Sequence, residues 1–245
     1  MNRFFIPPTA IQDETVIFPP EVSAQIARVL RLTDADRVLV LDDLGSAFEV
    51  QLETVSVKET LGRVLRKLPA GNEPQIRLVL QVCLTQREKY EWILQKGTEL
   101  GVAAFMPVLS SRTLVQKADE VSGKVERWQK ILREAAEQSE RGRIPRLLPA
   151  MQLKNALVSQ GSGLNLVLNE EESHLSLKQV LEKHSRHTTI RLLVGPEGGF
   201  SGDEIALARG TGYTSVTLGP RILRMETAAI AATAITMSML GEMEM

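Results

Sequence analysis

In the N-terminal part of the chain, apolar residues come in short runs with polar breaks: Val38-Leu39-Val40-Leu41, Phe48-Glu49-Val50-Gln51-Leu52 and Leu61-Gly62-Arg63-Val64-Leu65. Runs of this length and spacing predict β-strands, and Asp42-Asp43-Leu44-Gly45 between the first two reads as a hairpin turn. One short helix, Pro20 to Leu30, is expected ahead of them, and the whole reads as a small β-barrel. Pro69-Ala70-Gly71-Asn72-Glu73-Pro74 then places two prolines and a glycine within six residues, the best linker in the chain. It separates an expected domain at 1–72 from a second at 75–245.

Beyond the linker the period changes. Ile76 to Leu84 is a nearly continuous apolar strand, Tyr90, Ile93, Leu94 and Leu100 follow at helical spacing, and Ala103 to Leu109 is a second strand. Val121, Val125, Trp128, Ile131, Leu132, Ala135 and Ala136 mark a long amphipathic helix. Leu164 to Leu168, Ile190 to Val194 and Thr214 to Leu218 are further buried-type strands. Strands alternating with helices predict an α/β domain whose parallel sheet is covered on both faces.

Two glycine-bearing segments begin where apolar strands end: Leu193-Val194-Gly195-Pro196-Glu197-Gly198-Gly199-Phe200-Ser201 and Leu218-Gly219-Pro220-Arg221-Ile222-Leu223-Arg224-Met225-Glu226-Thr227. Ligands of open α/β sheets bind outside the carboxyl ends of strands, where glycine lets backbone approach closely. Ser201 with Glu204 is a capping-box signature that starts a helix after the first segment. The second leads into Thr227 to Leu240, apolar on nearly every side and so expected to be buried all round, in the core or against another subunit. Neither segment ends in Gly-Lys-Ser/Thr or follows Gly-x-Gly-x-x-Gly, so neither is a nucleotide P-loop or a dinucleotide fingerprint.

Composition narrows this further. The chain is 43% apolar and 24% charged, ordinary for a globular protein. Its one cysteine, Cys83, leaves no internal disulfide framework and fits a reducing compartment. Pro7, Pro8, Asp13 and Glu14 interrupt any signal-peptide pattern, and the apolar stretch from Ala228 to Leu240 falls short of the ~20 residues that span a bilayer. The chain is therefore expected to be cytoplasmic, with no membrane. A net charge of −1 gives no bulk attraction for nucleic acid, so an RNA surface would have to be a local patch. His174, His184 and His187 flank an expected surface helix without cysteine or paired carboxylates; they read as solvated residues and no metal is expected.

Taken together and in this order, the two glycine segments resemble the knotted motifs of SPOUT methyltransferases, and in detail those of the 16S ribosomal RNA (uracil-N3)-methyltransferases, also called ribosomal RNA small subunit methyltransferase E. The resemblance extends to the stretch from Lys89 to Val102, to Arg127-Trp128, to Glu134-Ala135-Ala136-Glu137-Gln138-Ser139 and to Arg143-Ile144-Pro145. It implies a PUA-like barrel for RNA recognition followed by an S-adenosylmethionine-dependent methyltransferase domain with a C-terminal trefoil knot. It also implies a homodimer acting on 16S rRNA within the assembled small subunit, at a uridine near the decoding region.

By the same resemblance Leu193, Gly195, Pro196, Glu197, Gly198 and Gly199 form one wall of the cofactor site, and Leu218, Gly219, Ile222, Leu223, Arg224 and Thr227 the other. Ile222 and Leu223 read equally well as core residues. Attack by uridine N3 requires its proton to leave, and each pKa unit above the working pH costs about 1.4 kcal/mol. Arg224, stabilising a uracil anion, and Glu226, as a base, are the candidates; a structural ion pair between them is the alternative. Arg3, Arg28 and Arg31 in the first domain, and Arg112, Arg141, Arg143 and Arg146 in the second, are candidate phosphate contacts. Gln25, Ala35-Asp36 and Asp42-Asp43 depart from the histidine, Gly-Asp and Asp-Gly usual in the family's barrel, which bears on RNA recognition. A SPOUT enzyme acting on a ribose 2′-hydroxyl, and a non-catalytic RNA-binding assembly factor, remain alternatives.

Overall fold

The computed structural model describes residues 1–113, 116–159, 161–183 and 188–244. They divide into two compact units, Met1–Glu73 with Ala136–Ile144, and Pro74–Ala135 with Pro145–Met245.

The first unit is built on β1 (Arg3–Phe5), β2 (Ile11–Gln12), β3 (Thr15–Ile17), α1 (Pro20–Ala24), β4 (Arg37–Leu41), β5 (Ser46–Val55) and β6 (Thr60–Pro69). The chain continues from α1 through a π-helical stretch, Gln25–Leu30, so one helical rod covers the span expected. The sheet order is β1-β4-β5-β6-β3-β2, antiparallel except for β1 beside β4. Register shifts at Glu49/Val50 and Leu52/Thr54 interrupt the β5–β6 pairing, and such bulges curl a sheet. The first three strands escaped the sequence because two or three residues are too few to show a period.

Strand β4 explains why a distant segment belongs to this unit. Val38 and Val40 join the main core with Phe4, Val16, Ile26 and Val50. Leu39 and Leu41 point to the opposite face, where they cluster with Phe5, Ala47 and Ala136. A strand apolar on both faces needs two covers, and Ala136–Ile144 supplies part of the second. Polar contacts hold that segment. Glu73 pairs with Arg141 at 2.7 Å and accepts the amides of Gly142 and Arg143 at 3.0 and 3.1 Å.

Two of the departures noted in the first unit sit at left-handed backbone positions, Ala35 at φ 71° and Asp43 at φ 58°. Asp43 recovers something there, because its carboxylate accepts the amide of Ile144 at 2.7 Å. Ala35 has no polar side chain to compensate, and a left-handed L-residue costs ~1–2 kcal/mol. Ala35→Gly is therefore expected to raise stability by about 1 kcal/mol, after the greater freedom of glycine in the unfolded chain is deducted. Asp43→Gly, which loses the Ile144 bond, should give no such gain. Urea-denaturation midpoints of the two variants check the contrast.

The second unit contains β7 (Arg77–Cys83), α2 (Arg87–Glu99), β8 (Ala104–Leu109), α3 (Val125–Gln138), whose end passes into the first unit, and β9 (Arg146–Leu147). It continues with β10 (Met151–Gln152), α4 (Leu153–Val158), β11 (Leu164–Leu168), α5 (Leu177–Lys183), β12 (Thr189–Val194), α6 (Gly202–Gly210), β13 (Thr214–Val216) and α7 (Met225–Met239). The sheet order is β10-β8-β7-β12-β11-β13, with β9 beside β8, and every pairing is parallel. The result is a mixed α/β protein with one curled sheet and one parallel sheet. β13 is shorter than expected because Thr217 leaves the ladder to bridge with Ser176.

Helix α7 was expected to be buried all round, in the core or against another subunit. Met225, Ala229, Ala232, Thr233, Thr236 and Met237 are buried, but Thr227, Ile235 and Ser238 are exposed, so within the chain the helix is buried along one stripe. Its C-terminal side is anchored by Glu242, whose carboxylate accepts the amides of Gln75 and Ile76 just ahead of β7. No helix among the described residues is long and apolar enough to cross a membrane.

Candidate functional site

Because the second sheet is wholly parallel, the carboxyl ends of β11, β12 and β13 lie along one edge. A cavity of about 570 Å³ opens there. Its walls are the three segments that follow those strands: Asn169 to Ser173, Gly195 to Phe200, and Thr217 to Leu223. Met225 and Ala228 of α7 complete the lining, with Arg112 contributed by the segment after β8.

The first glycine segment is held on several sides. Ser201 caps α6: its Oγ accepts the Glu204 amide at 3.2 Å while Glu204 Oε2 accepts the Ser201 amide at 2.9 Å, the capping box expected. Glu204 Oε1 also accepts the amide of Ser111 at 2.8 Å, and Arg112 Nη1 donates to the carbonyl of Gly198 at 2.6 Å. Glu197 caps no helix. Its carboxylate accepts from Lys89 and, at 3.1 Å, from Thr85 Oγ1. The Lys89 hydrogen bond outweighs partial burial and, with Thr85 and the charge of Arg224, holds the Glu197 carboxyl below the usual carboxylate range. Gly199 has φ 67°, and a Cβ there would stand 2.9 Å from Glu170 Oε1.

The wall after β11 is braced through Glu172, whose carboxylate pairs with Arg209 of α6 at 2.9 Å and accepts the His174 amide at 3.1 Å. Asn169 closes a turn by accepting the Glu171 amide and donates to Ser215 Oγ. Glu170 and Glu171 remain exposed. This third wall was missed because it carries no glycine. The signal available was Leu164 to Leu168 itself, since a ligand at strand ends touches whatever follows each neighbouring strand.

Of the expected cofactor residues, Gly195, Pro196, Glu197, Gly199, Leu218, Gly219, Ile222 and Leu223 line the cavity. Leu193 lies beneath it in β12, 1% exposed. Gly198, Arg224 and Thr227 lie outside the lining, though Gly198 is tied to it through Arg112. Ile222 is 82% exposed, so it is a rim residue and not core. Arg224 is the exposed N-cap position of α7 and makes no ion pair with Glu226. One carboxylate oxygen of Glu226, Oε2, is buried without a hydrogen-bond partner.

Among the arginines expected at RNA, Arg3, Arg28, Arg31, Arg141 and Arg143 belong to the first unit and Arg112 and Arg146 to the second. Arg28, Arg31, Arg112, Arg143 and Arg146 are exposed. Arg3 is paired with Glu140 at 2.9 Å. Arg141 is 4% exposed and turned inward onto Glu73. His174 is exposed; His184 and His187 lie outside the described residues. Among the described residues no group of three or more His, Cys, Asp or Glu is placed to hold a metal ion.

Gly219 tests the cavity directly. Its φ is 114°, and a Cβ there meets no protein atom within 4 Å, so a larger side chain would project into open space at the lining. Gly219→Val is expected to weaken S-adenosylmethionine binding by more than about tenfold, through left-handed strain and filled volume. Isothermal titration calorimetry on the variant and the parent chain measures it.

Comparison with known proteins agrees with this geometry. Residues 72–237 match the family model described as RNA methyltransferase domain. The chain is 31% identical over 241 residues to ribosomal RNA small subunit methyltransferase E of Bacillus subtilis, covering 95% of this chain and 94% of that protein. It is 33% identical over 234 residues to the protein of the same name from Synechocystis, covering 95% of this chain and 76% of that one. The crystal structure of the Neisseria gonorrhoeae methyltransferase E bound to S-adenosylmethionine superposes with a TM-score of 0.88 at 31% identity, covering 97% of both chains. A Legionella pneumophila methyltransferase in complex with the same cofactor gives 0.88 at 28% identity, covering 96% of both chains. With relatedness running through both units and the glycine-walled cavity, the chain belongs to the ribosomal RNA small subunit methyltransferase E family of RNA methyltransferases.

Proposed function

We propose that this protein transfers a methyl group from S-adenosylmethionine to N3 of a uridine in 16S ribosomal RNA. The observation that carries the reading is the cavity itself, walled by the two segments whose sequences resemble the uracil-N3 enzymes. Its size is within the range of small-molecule sites, and its lining suits the cofactor's charges. Glu170 and Glu171 complement the sulfonium and ammonium groups, while glycine backbone offers close approach to the adenosine. Gly195, Pro196, Glu197, Gly199, Leu218, Gly219 and Leu223 would hold it; Leu193 and Thr227 stand outside the lining. When bound, the cofactor supplies an electrophilic methyl group, and no metal is needed.

The chain's own residues must then orient the base and ease loss of its N3 proton. Arg224, exposed and near enough to Glu197 to lower its pKa, would stabilise a uracil anion. Glu226 Oε2 lacks a donor, and a buried carboxylate oxygen without one is costly, so it is suited to accept a proton or hydrogen bond brought by the substrate. Arg28 and Arg31, with Arg143 and Arg146, are the solvent-facing guanidinium groups available for phosphate; Arg3 and Arg141 instead secure Ala136–Ile144.

The same reading takes the curled sheet as a PUA-like barrel that recognises RNA, and the last segment of the second unit as a SPOUT trefoil knot. It takes the protein as a cytoplasmic homodimer acting on the assembled small subunit. The uncovered stripe of α7, including Ile235 at 36% exposure, supports a dimer face.

In a strain lacking the gene, nucleoside mass spectrometry of 16S ribosomal RNA should show 3-methyluridine lost, and restored on complementation. Loss of a 2′-O-methylated nucleoside instead would keep the enzyme class and overturn the position. In vitro, Arg224→Ala should lower kcat by about 100-fold while leaving cofactor affinity within about twofold of the parent.

A further inference from the structure

Arg112, one of two arginines in the cavity wall, was expected at RNA, but its surroundings assign it elsewhere. Arg112 follows β8, and β8 is separated from β12 by β7. Its loop nevertheless reaches the glycine segment and is fixed there. Thr113 closes the turn by donating Oγ1 to the carbonyl of Ser110 at 2.8 Å, and the Ser111 amide is taken by Glu204. Arg112 Nη1 is bonded to the carbonyl of Gly198, and its Cδ lies 3.7 Å from the position a Gly198 Cβ would occupy. A guanidinium has five N–H donors, so this bond leaves most of them available. No carboxylate pairs with Arg112 among the described residues, whereas Arg3, Arg127, Arg141 and Arg209 are each paired.

The cavity around it is rich in carboxylates. Glu170, Glu171, Glu172 and Glu197 line it, against two arginines, Arg112 and Arg221. S-adenosylmethionine brings two cationic groups that suit such walls and one α-carboxylate that does not. A guanidinium is the side chain best matched to that carboxylate, and of the two only Arg112 is fixed by a turn and a backbone bond. Arg221, exposed as Arg112 is, stands next to the rim residue Ile222. We propose that Arg112 binds the α-carboxylate of the cofactor's methionyl group, while its bond to Gly198 holds the first glycine segment in register. This rests on the reading that the cavity is the cofactor site.

The test compares S-adenosylmethionine with its decarboxylated analogue, which lacks only that carboxylate, by calorimetry on the full chain. Arg112→Ala should weaken S-adenosylmethionine binding by about tenfold or more and leave the analogue within about twofold, abolishing the parent's preference. Arg112→Lys should restore part of the preference, through charge without the fork. Equal weakening of both ligands would reduce Arg112 to a loop-holding residue and overturn the proposal. Unchanged binding of both, with weakened binding of an RNA oligonucleotide, would overturn it in favour of a phosphate contact. If Gly219→Val also leaves S-adenosylmethionine binding intact, the cavity reading itself fails, which separates the two failures.

Discussion

Everything at the candidate site depends on the parallel pairing of β11 with β12 on one side and β13 on the other. Parallel strands deliver all their carboxyl ends to one edge, so three successive chain segments must leave the sheet side by side. The strands themselves cannot host the chemistry, because the central ones are buried on both faces. Gln81 in β7 shows what a polar group there requires: its Oε1 accepts the Tyr213 hydroxyl at 2.7 Å and its Nε2 reaches Met106 Sδ at 3.5 Å. Polar work is displaced to the edge, where backbone groups at strand ends and helix starts are free to meet a ligand.

A net charge of −1 conceals how the charges are arranged. Glu73, Glu91, Glu172 and Glu197 are each tied to a cation of their own unit, and these pairs brace segments. Glu91 takes Arg127 in a two-pronged pair and Arg87 one turn away, linking α2 to α3. Other charged groups stand outside these pairs, and two sets of them bear on ligands. Glu170, Glu171 and Arg112 face the cavity, while Arg28 and Arg31 face solvent on the first unit. Bulk charge therefore says little about ligands here, because it hides where the individual charges stand.

The long buried strands and both glycine segments were legible because their signals are local. A continuous apolar run bounded by turn residues, or Ser201 three residues ahead of Glu204, carries its meaning in the sequence. What was not legible depends on partners far along the chain. The assignment of Ala136–Ile144 to the first unit follows from Leu39 and Leu41 needing a second cover, which no local pattern states. Arg141 and Arg28 look alike in sequence, yet one is turned onto Glu73 and the other is exposed. The Asn169–Ser173 wall lacks glycine, and its role arises only because β11 lies between the two strands that have it.

On the proposed reading, the arrangement of charges also bears on how the N3 proton would be lost. Among the carboxylates near the second segment, Glu197 is the poorer base, because the Lys89 hydrogen bond keeps its carboxyl below the ordinary range. A base weakened in this way accepts a proton from a weak N–H acid at a greater energetic cost, about 1.4 kcal/mol for each unit of mismatch. Glu226 carries no such partner on Oε2, but that oxygen is buried. Arg224 faces neither obstacle, being exposed at the start of α7 with no carboxylate pair of its own. Lowering the cost of the anion, with the proton passing to solvent, therefore asks less of this geometry than a dedicated carboxylate base does.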